Sequence, residues 1–468
     1  MDAREIVEGL TPDSRVVVVG LGRSGMAAVR LLRKMGVSVA VSEATPREKL
    51  DPENLSWLAA HAISVECGGH SADLLSGADL LVVSPGVPLD LPQLRDAAAA
   101  GVPVLGELAL ACAMVETPIV AITGTNGKST VTELVGEMFR AAEMRVFVGG
   151  NLGTPLSEYL LGEQDCEVLV LEVSSFQLDT APGFAPEVAV LLNISPDHLD
   201  RYPDYEAYAA SKFSIFGGQK PSSAAILNRD DDELMQRMAG YQVPGRQFFY
   251  GDGSGMEGRG AAISGSEIIA SGLTAGELEH YSLAGTSLGQ EPNVHNGAAA
   301  ILAARLLGCP AAAVRQALAG FRPLQHRLAL VAEINGVQFF DDSKATNIGA
   351  VAAALRGMSR PVVLIGGGRD KGGDYALLHD LVREKVKGMV LVGEAREKMA
   401  ASFAQLTRVE VAAGLGEAVT IASRLAEAGD AVLLSPACAS FDMFSGYAQR
   451  GLVFRAAVAA LANAREAK

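Results

Sequence analysis

A short β-branched run, a glycine turn and an amphipathic helix, repeated in that order, is the pattern that most restricts what this chain can fold into. It occurs at Arg15–Gly20 with a helix at Ser24–Met35, and continues with strand runs at Val37–Ser42 and Asp79–Ser84. It restarts at Pro118–Thr123, with a helix from Ser129 to about Ala141 and further buried runs at Glu167–Leu171 and Val188–Asn193. A third series comprises Val337–Phe340, Pro361–Ile365, Gly388–Val392 and Asp430–Leu434. Strands that alternate with helices pair in parallel, and ligands then gather at the carboxyl ends of the strands. One hydrophobic core does not extend over 468 residues, so the three series predict three α/β domains. We expect a Rossmann-like N-terminal domain over 1–106, a central P-loop ATPase domain with a parallel sheet over 107–322, and a Rossmann-like C-terminal domain over 323–468. The breaks fall near Gly106 and near Phe321-Arg322-Pro323. Between Tyr250 and Pro292, closely spaced glycines such as Gly251, Gly255 and Gly260 predict small antiparallel hairpins attached to the central domain.

The central series opens on Gly124-Thr125-Asn126-Gly127-Lys128-Ser129-Thr130, between an apolar strand and a helix. Glycines there let backbone N–H groups face phosphate oxygens, and the helix N-terminus adds partial positive charge. In such a loop Lys128 binds β- and γ-phosphates, and Ser129 offers a hydroxyl to Mg²⁺. Only Thr125 and Asn126 separate the two glycines, whereas the common P-loop form has four residues there. The first series carries a second glycine turn, Gly20-Leu21-Gly22-Arg23-Ser24-Gly25, with Glu43 ending the following strand. Alone, that turn reads as the dinucleotide fingerprint of an NAD-dependent oxidoreductase, but the same turn cradles any diphosphate.

Other polar positions follow buried strands. Glu172 is either a surface carboxylate or a Mg²⁺ ligand beside the P-loop. His198, in Ser195-Pro196-Asp197-His198, is either structural or the ligand of a second metal. Lys212 sits on a helix expected over Tyr205–Phe216, where its apolar neighbours favour a snorkelling side chain. In the last series three polar turns, Phe340–Asn347, Gly366–Gly372 and Leu434–Asp442, should meet at one sheet edge.

Charge and cysteine content exclude other classes. A net charge of −15 argues against sequence-independent nucleic-acid binding. The segment Met1–Leu10 has neither a basic nor an apolar region, so no leader is expected, and no apolar run is long enough to span a bilayer. The five cysteines are far apart, which predicts reduced thiols in a cytoplasmic protein.

Taken together and in order, these motifs resemble the Mur ligases of bacterial cell-wall synthesis across essentially the whole chain. The short P-loop Gly-Thr-Asn-Gly-Lys-Ser-Thr is the form of that wider group, which includes folylpolyglutamate synthetases. Ser174–Leu178, Asp341–Asn347 and Ser435–Asp442 resemble the branch that adds D-glutamate. The resemblance implies ATP-dependent joining of D-glutamate to UDP-N-acetylmuramoyl-L-alanine through an acyl phosphate. It implies that Gly22, Arg23, Ser24, Glu43, Ala44, Thr45 and Ser84 hold the uridine diphosphate and that Asn151 contacts the muramoyl end. It assigns Asn296, Arg327, Asp342 and Lys344 to ATP along with the P-loop, and Thr346, Lys371, Ser440 and Phe441 to D-glutamate. Two Mg²⁺ ions are implied, with Ser129 and Glu172 on one and His198 on the other. Lys212 aligns with a lysine that CO₂ converts to a carboxylate-like carbamate ligand. The stretch Gly289–Asn293 is one residue longer than the usual form, and Tyr447 stands where an aromatic is expected near D-glutamate. A monomer is expected, with ATP bridging the last two domains and the C-terminal domain closing on it.

Overall fold

The computed structural model describes residues 2–253, 258–273, 277–322 and 325–466. Gly255 and Pro323, singled out above, lie outside the described residues. Among the described residues the strands form three sheets. The first contains β1 (Arg15–Val19), β2 (Ser38–Glu43), β3 (Ser64–Cys67), β4 (Leu80–Val83) and β5 (Val104–Gly106), all parallel, in the order β3-β2-β1-β4-β5. Val16 to Val19 have no exposed surface, as a parallel strand covered on both faces requires.

The second sheet contains β6 (Ile119–Thr123), β7 (Val146–Gly150), β8 (Val168–Glu172), β9 (Val188–Leu191), β10 (Ala224–Asn228), β11 (Arg246–Asp252), β12 (Gly260–Ser264), β13 (Glu267–Ser271) and β14 (Glu279–Ser282). Its order is β14-β13-β12-β11-β10-β9-β6-β8-β7. The expected hairpins are the antiparallel pairs β12–β13 and β13–β14, and a parallel β11–β12 contact makes them an extension of the central sheet.

The third sheet contains β15 (Ala329–Ile334), β16 (Val337–Asp341), β17 (Val362–Gly367), β18 (Val386–Val392), β19 (Arg408–Val411) and β20 (Ala431–Leu434), in the order β15-β16-β20-β17-β18-β19. Its β15 is antiparallel to β16, an edge hairpin that the helix-alternating pattern does not signal. The chain divides into two compact units. One runs to Asn193 and includes Ala209–Leu283 and His295–Gly320, and the other comprises Ile194–Tyr208, Ala284–Val294 and Phe321 onward. No described helix is long and apolar enough to cross a membrane.

Side-chain volume explains the first glycine turn. A Cβ on Gly25 would lie 2.0 Å from the Gly20 carbonyl oxygen and 2.7 Å from Ser84 Oγ, whereas a Cβ on Gly22 meets nothing within 4 Å. Gly25 therefore lets the helix Arg23–Met35 pack onto β1. Gly22 leaves its own space open. Gly25→Ala should cost about 1–3 kcal/mol of stability, read as a lower unfolding midpoint. Gly22→Ala should leave that midpoint in place, as thermal unfolding would measure.

Candidate active site

The P-loop is assembled from neighbouring strands of the central sheet. β6 leads into Gly124, and the helix Lys128–Ala141 starts directly after Gly127, whose φ of 87° favours glycine. A Cβ on Gly127 would come within 2.5 Å of Asn296 Oδ1, so the glycine admits the Asn296 amide to the loop. Asn193, just after β9, pins the loop from the other side. Its carbonyl accepts from Thr125 N–H (3.0 Å), its Oδ1 accepts from Asn126 N–H (2.8 Å), and its Nδ2 donates to the Asn126 carbonyl (3.0 Å). The sequence context of Asn193 points to no role. Its position at the end of the strand beside β6 is the signal that could have found it.

Two lysines converge on this loop. Lys128 Nζ donates to the carbonyls of Gly124 (2.7 Å) and Thr125 (2.9 Å), and Lys212 Nζ donates to the same Gly124 carbonyl (3.0 Å). Lys212 is 2% exposed, so it does not snorkel as its helix alone suggests. The helix is also shorter than expected, ending at Phe213 before a 3₁₀ turn over Ser214–Phe216. Ammonium groups at a helix N-terminus, whose first N–H groups have no partner in the helix, make a cradle for an anion.

Glu172 ends β8, next to β6, and is buried. Its Oε1 accepts from Asn151 Nδ2 at 2.6 Å. Asn151 lines a cavity of about 660 Å³ in the same unit. Gly22, Arg23, Ser24, Glu43, Ala44, Thr45 and Ser84 line that cavity too, so all eight positions expected to hold the uridine-linked substrate share one space. Gln177, of the Ser174–Leu178 motif, lines it as well, as do His70 and Lys49, which no motif of the sequence singles out. His70 Nδ1 lies 2.8 Å from Ser42 Oγ, which orients the ring. Glu43 is occupied by its own loops. Its carboxylate accepts from the backbone N–H groups of Leu21 and Thr45. Burial opposes its charge, but these two bonds, with the Thr45 hydroxyl and His70, together hold the carboxyl below its usual range. An acid spent this way organises the turn and is poorly suited to grip the ribose of NAD. The half-exposed Arg23 reaches Thr154 and Glu158 at 3.5 Å.

The three polar turns of the last sheet do gather, because β16, β20 and β17 are adjacent. Arg450, 1% exposed, staples two of them: Nε donates to Ser343 Oγ (3.0 Å), Nη2 to the Ser343 carbonyl (2.7 Å) and Nη1 to the Cys438 carbonyl (3.1 Å). Burial pushes its guanidinium down to about 10. The third turn joins through Arg369 and Ala439, which exchange backbone bonds of 2.9 and 3.1 Å.

Arg327 is held on both flanks. The His326 carbonyl accepts from Lys344 N–H (3.1 Å), and Leu328 N–H donates to Asp342 Oδ1 (3.2 Å). His326 itself is buried, 2.7 Å from Asp341 Oδ2. Asp342 Oδ2 accepts from Ser435 Oγ (2.9 Å), and burial pushes the Asp342 carboxyl up to about 7. Both its oxygens are thus engaged within the protein. Lys344 Nζ donates to the Tyr447 hydroxyl (3.2 Å) above that ring. Ser440 is buried, while Phe441 is 68% exposed.

Thr346 leads to Asn347, which caps the next helix through Ala350 N–H. Asn347 Nδ2 donates to Asp197 Oδ2 (3.0 Å), and Lys371 Nζ pairs with Asp197 Oδ1 (3.1 Å), all within the second unit. Burial works against the Asp197 charge, but Lys371, His198 and the Asn347 amide hold its carboxyl below the usual range. His198 has φ 57°, with its N–H on Asp197 Oδ1.

Among the described residues no three His, Cys, Asp or Glu side chains cluster as a metal cage. The available donors, the buried Ser129 hydroxyl and the Glu172 carboxylate, instead suit a hard cation that keeps waters and takes phosphate oxygens. The five cysteines are unpaired with one another.

Comparison with known proteins agrees with this arrangement. Models of the "Mur ligase MurD-like, N-terminal domain", the "Mur ligase middle domain" and the "Mur ligase, glutamate ligase domain" match residues 14–106, 122–304 and 326–438. The UDP-N-acetylmuramoylalanine–D-glutamate ligase of Syntrophotalea carbinolica is 43% identical, covering 95% of this chain and 97% of the relative. The enzyme of the same name from Desulfosudis oleivorans is 42% identical, covering 98% and 99%. The chain belongs to the Mur ligase family. Its three-domain α/β fold is shared with solved Mur ligases. A MurF ligase of Thermotoga maritima, solved with ADP, superposes with a TM-score of 0.56 at 18% identity, covering 97% of each chain. A UDP-N-acetylmuramate–alanine ligase of the same organism gives 0.54 at 20%, covering 97% of this Mur ligase and all of the other.

Proposed function

We propose that this Mur ligase joins D-glutamate to UDP-N-acetylmuramoyl-L-alanine at the expense of ATP, in the synthesis of peptidoglycan precursors. The observation that carries the reading is Lys128, whose Nζ lies over the loop on the carbonyls of Gly124 and Thr125, at a helix N-terminus built for phosphate. The names of the 43% and 42% identical relatives support the substrates.

The alanine carboxylate attacks the γ-phosphorus and ADP leaves, giving an acyl phosphate. The amine of D-glutamate attacks its carbonyl carbon. The tetrahedral intermediate expels phosphate, and the nitrogen loses a proton as the amide forms. Two anions must meet in the first step, so cationic groups are needed there. Lys128 and the first-turn N–H groups of its helix carry the phosphates, with Asn296, Arg327, Asp342 and Lys344 assigned to the same nucleotide. The cavity around Ser84, Glu43 and Asn151 takes the uridine diphosphate and the muramoyl end. Thr346, Lys371, Ser440 and Phe441 take D-glutamate. Ser129, Glu172, His198 and a carbamylated Lys212 are the assigned holders of two Mg²⁺ ions, which supply charge neutralisation at the transferring phosphoryl group. The assigned domain limits are 1–106, 107–322 and 323–468, and the enzyme acts as a cytoplasmic monomer.

Mass spectrometry of the uridine nucleotide tests the acceptor. We expect the gain of one glutamyl residue with D-glutamate and none with L-glutamate or meso-diaminopimelate. Equal product from either of the latter would remove D-glutamate as the substrate.

A further inference from the structure

We propose that Asp197 receives the ammonium group of the incoming amino acid, a proposal that rests on reading Lys371 as the ligand of that amino acid's carboxylate. An amino acid arrives as a zwitterion, so its site must answer both signs of charge. Of the four residues assigned to it, Lys371 is cationic, Thr346 and Ser440 are neutral and Phe441 is apolar. None is anionic. Asp197 is a carboxylate that meets two of these loops, 3.1 Å from Lys371 Nζ and 3.0 Å from the amide of Asn347, the residue after Thr346.

Three features suit it to this role. Asp197 is 9% exposed, so a charge placed beside it is weakly screened. Asn347 is locked by capping its own helix through Oδ1, which fixes the Nδ2 that orients Asp197. The other acid of the Lys371 loop, Asp370, is turned to Lys398 (2.7 Å) and to the Tyr375 hydroxyl (3.0 Å) and does not compete. In the structure Lys371 and Asp197 neutralise one another. An entering D-glutamate exchanges that one ion pair for two, Lys371 with one carboxylate and Asp197 with its ammonium, and brings one further negative charge, its second carboxylate. Asp197 is thus a binding residue that sets the preference for an amine-bearing acceptor.

The test compares D-glutamate with D-2-hydroxyglutarate, which replaces the ammonium by a hydroxyl. Both are titrated calorimetrically into the full chain holding UDP-N-acetylmuramoyl-L-alanine and a non-hydrolysable ATP analogue. The wild type should prefer D-glutamate by about 10- to 100-fold, the range of a charged hydrogen bond. In Asp197→Asn that ratio should fall at least about tenfold, and Asp197→Glu should retain most of it. Lys371→Met should weaken both ligands and keep the ratio, which decides the matter even if Asp197→Asn does not fold. An unchanged ratio in folded Asp197→Asn, or a ratio lost in Lys371→Met, would overturn the proposal. A wild type that takes another amino acid would remove D-glutamate as the acceptor without touching Asp197. The same ratio, measured with that amino acid and its hydroxy acid, then decides whether Asp197 receives the ammonium.

Discussion

Lys128→Ala should lower kcat by about three orders of magnitude, the scale lost when a charge-stabilising group is removed from phosphoryl transfer. Lys128 is the first residue of the helix that follows the loop, and its ammonium already lies over the loop, on the carbonyls of Gly124 and Thr125. Moving it from these carbonyls onto phosphate oxygens needs only a change of side-chain torsions. Because these bonds are to loop carbonyls and not to core groups, the variant should keep its unfolding midpoint to within a few degrees and its affinity for the uridine substrate. Steady-state product formation, thermal unfolding and calorimetry together check this. A loss of less than tenfold would take Lys128 out of the phosphoryl step.

The second large effect concerns Lys212. CO₂ adds to a lysine to give a carbamate, and the buried Lys212 is the residue assigned to carry it. Lys212→Ala should reduce kcat by about 100-fold or more, and millimolar formate or acetate should restore part of it by supplying a carboxylate where the carbamate stood. The wild type under ¹³C-labelled CO₂ should show one carbamate carbon resonance that the variant lacks. This readout does not depend on turnover. Full activity in Lys212→Ala would remove the residue from the mechanism. A loss without rescue and without the resonance would leave the amine itself, not a carbamate, as the active group.

The two lysines also show how much of the site is legible in the sequence. Lys128 is readable because strand, glycine turn, lysine and helix are contiguous, and local order alone dictates the cradle. Lys212 reads as snorkelling because its helix shows only its own apolar neighbours. What buries it is the Gly124 loop, 88 residues away in sequence. The strand-turn-helix series locates the parallel core of all three sheets. It leaves out the parallel strands β3, β5, β7, β10, β11 and β19, and it misses β15, since an antiparallel edge hairpin carries no helix to announce it. Asn193 and Arg450 escape for the same reason as Lys212: their work is to hold backbone from distant segments, and neither belongs to a motif of short spacing. Glu43 and Asp342 are legible as site residues by position. The direction of their carboxylates, toward Leu21 and Thr45 and toward Leu328 and Ser435, emerges only from the folded chain.

The most direct test of the account is phosphate release from ATP by the purified full chain. With UDP-N-acetylmuramoyl-L-alanine and D-glutamate both present, release should be sustained and should match amide formation mole for mole. Omitting either substrate should reduce it to the level without enzyme. Sustained release that needs neither substrate, or only one, would contradict a ligase that passes phosphate to a carboxylate and then displaces it with an amine.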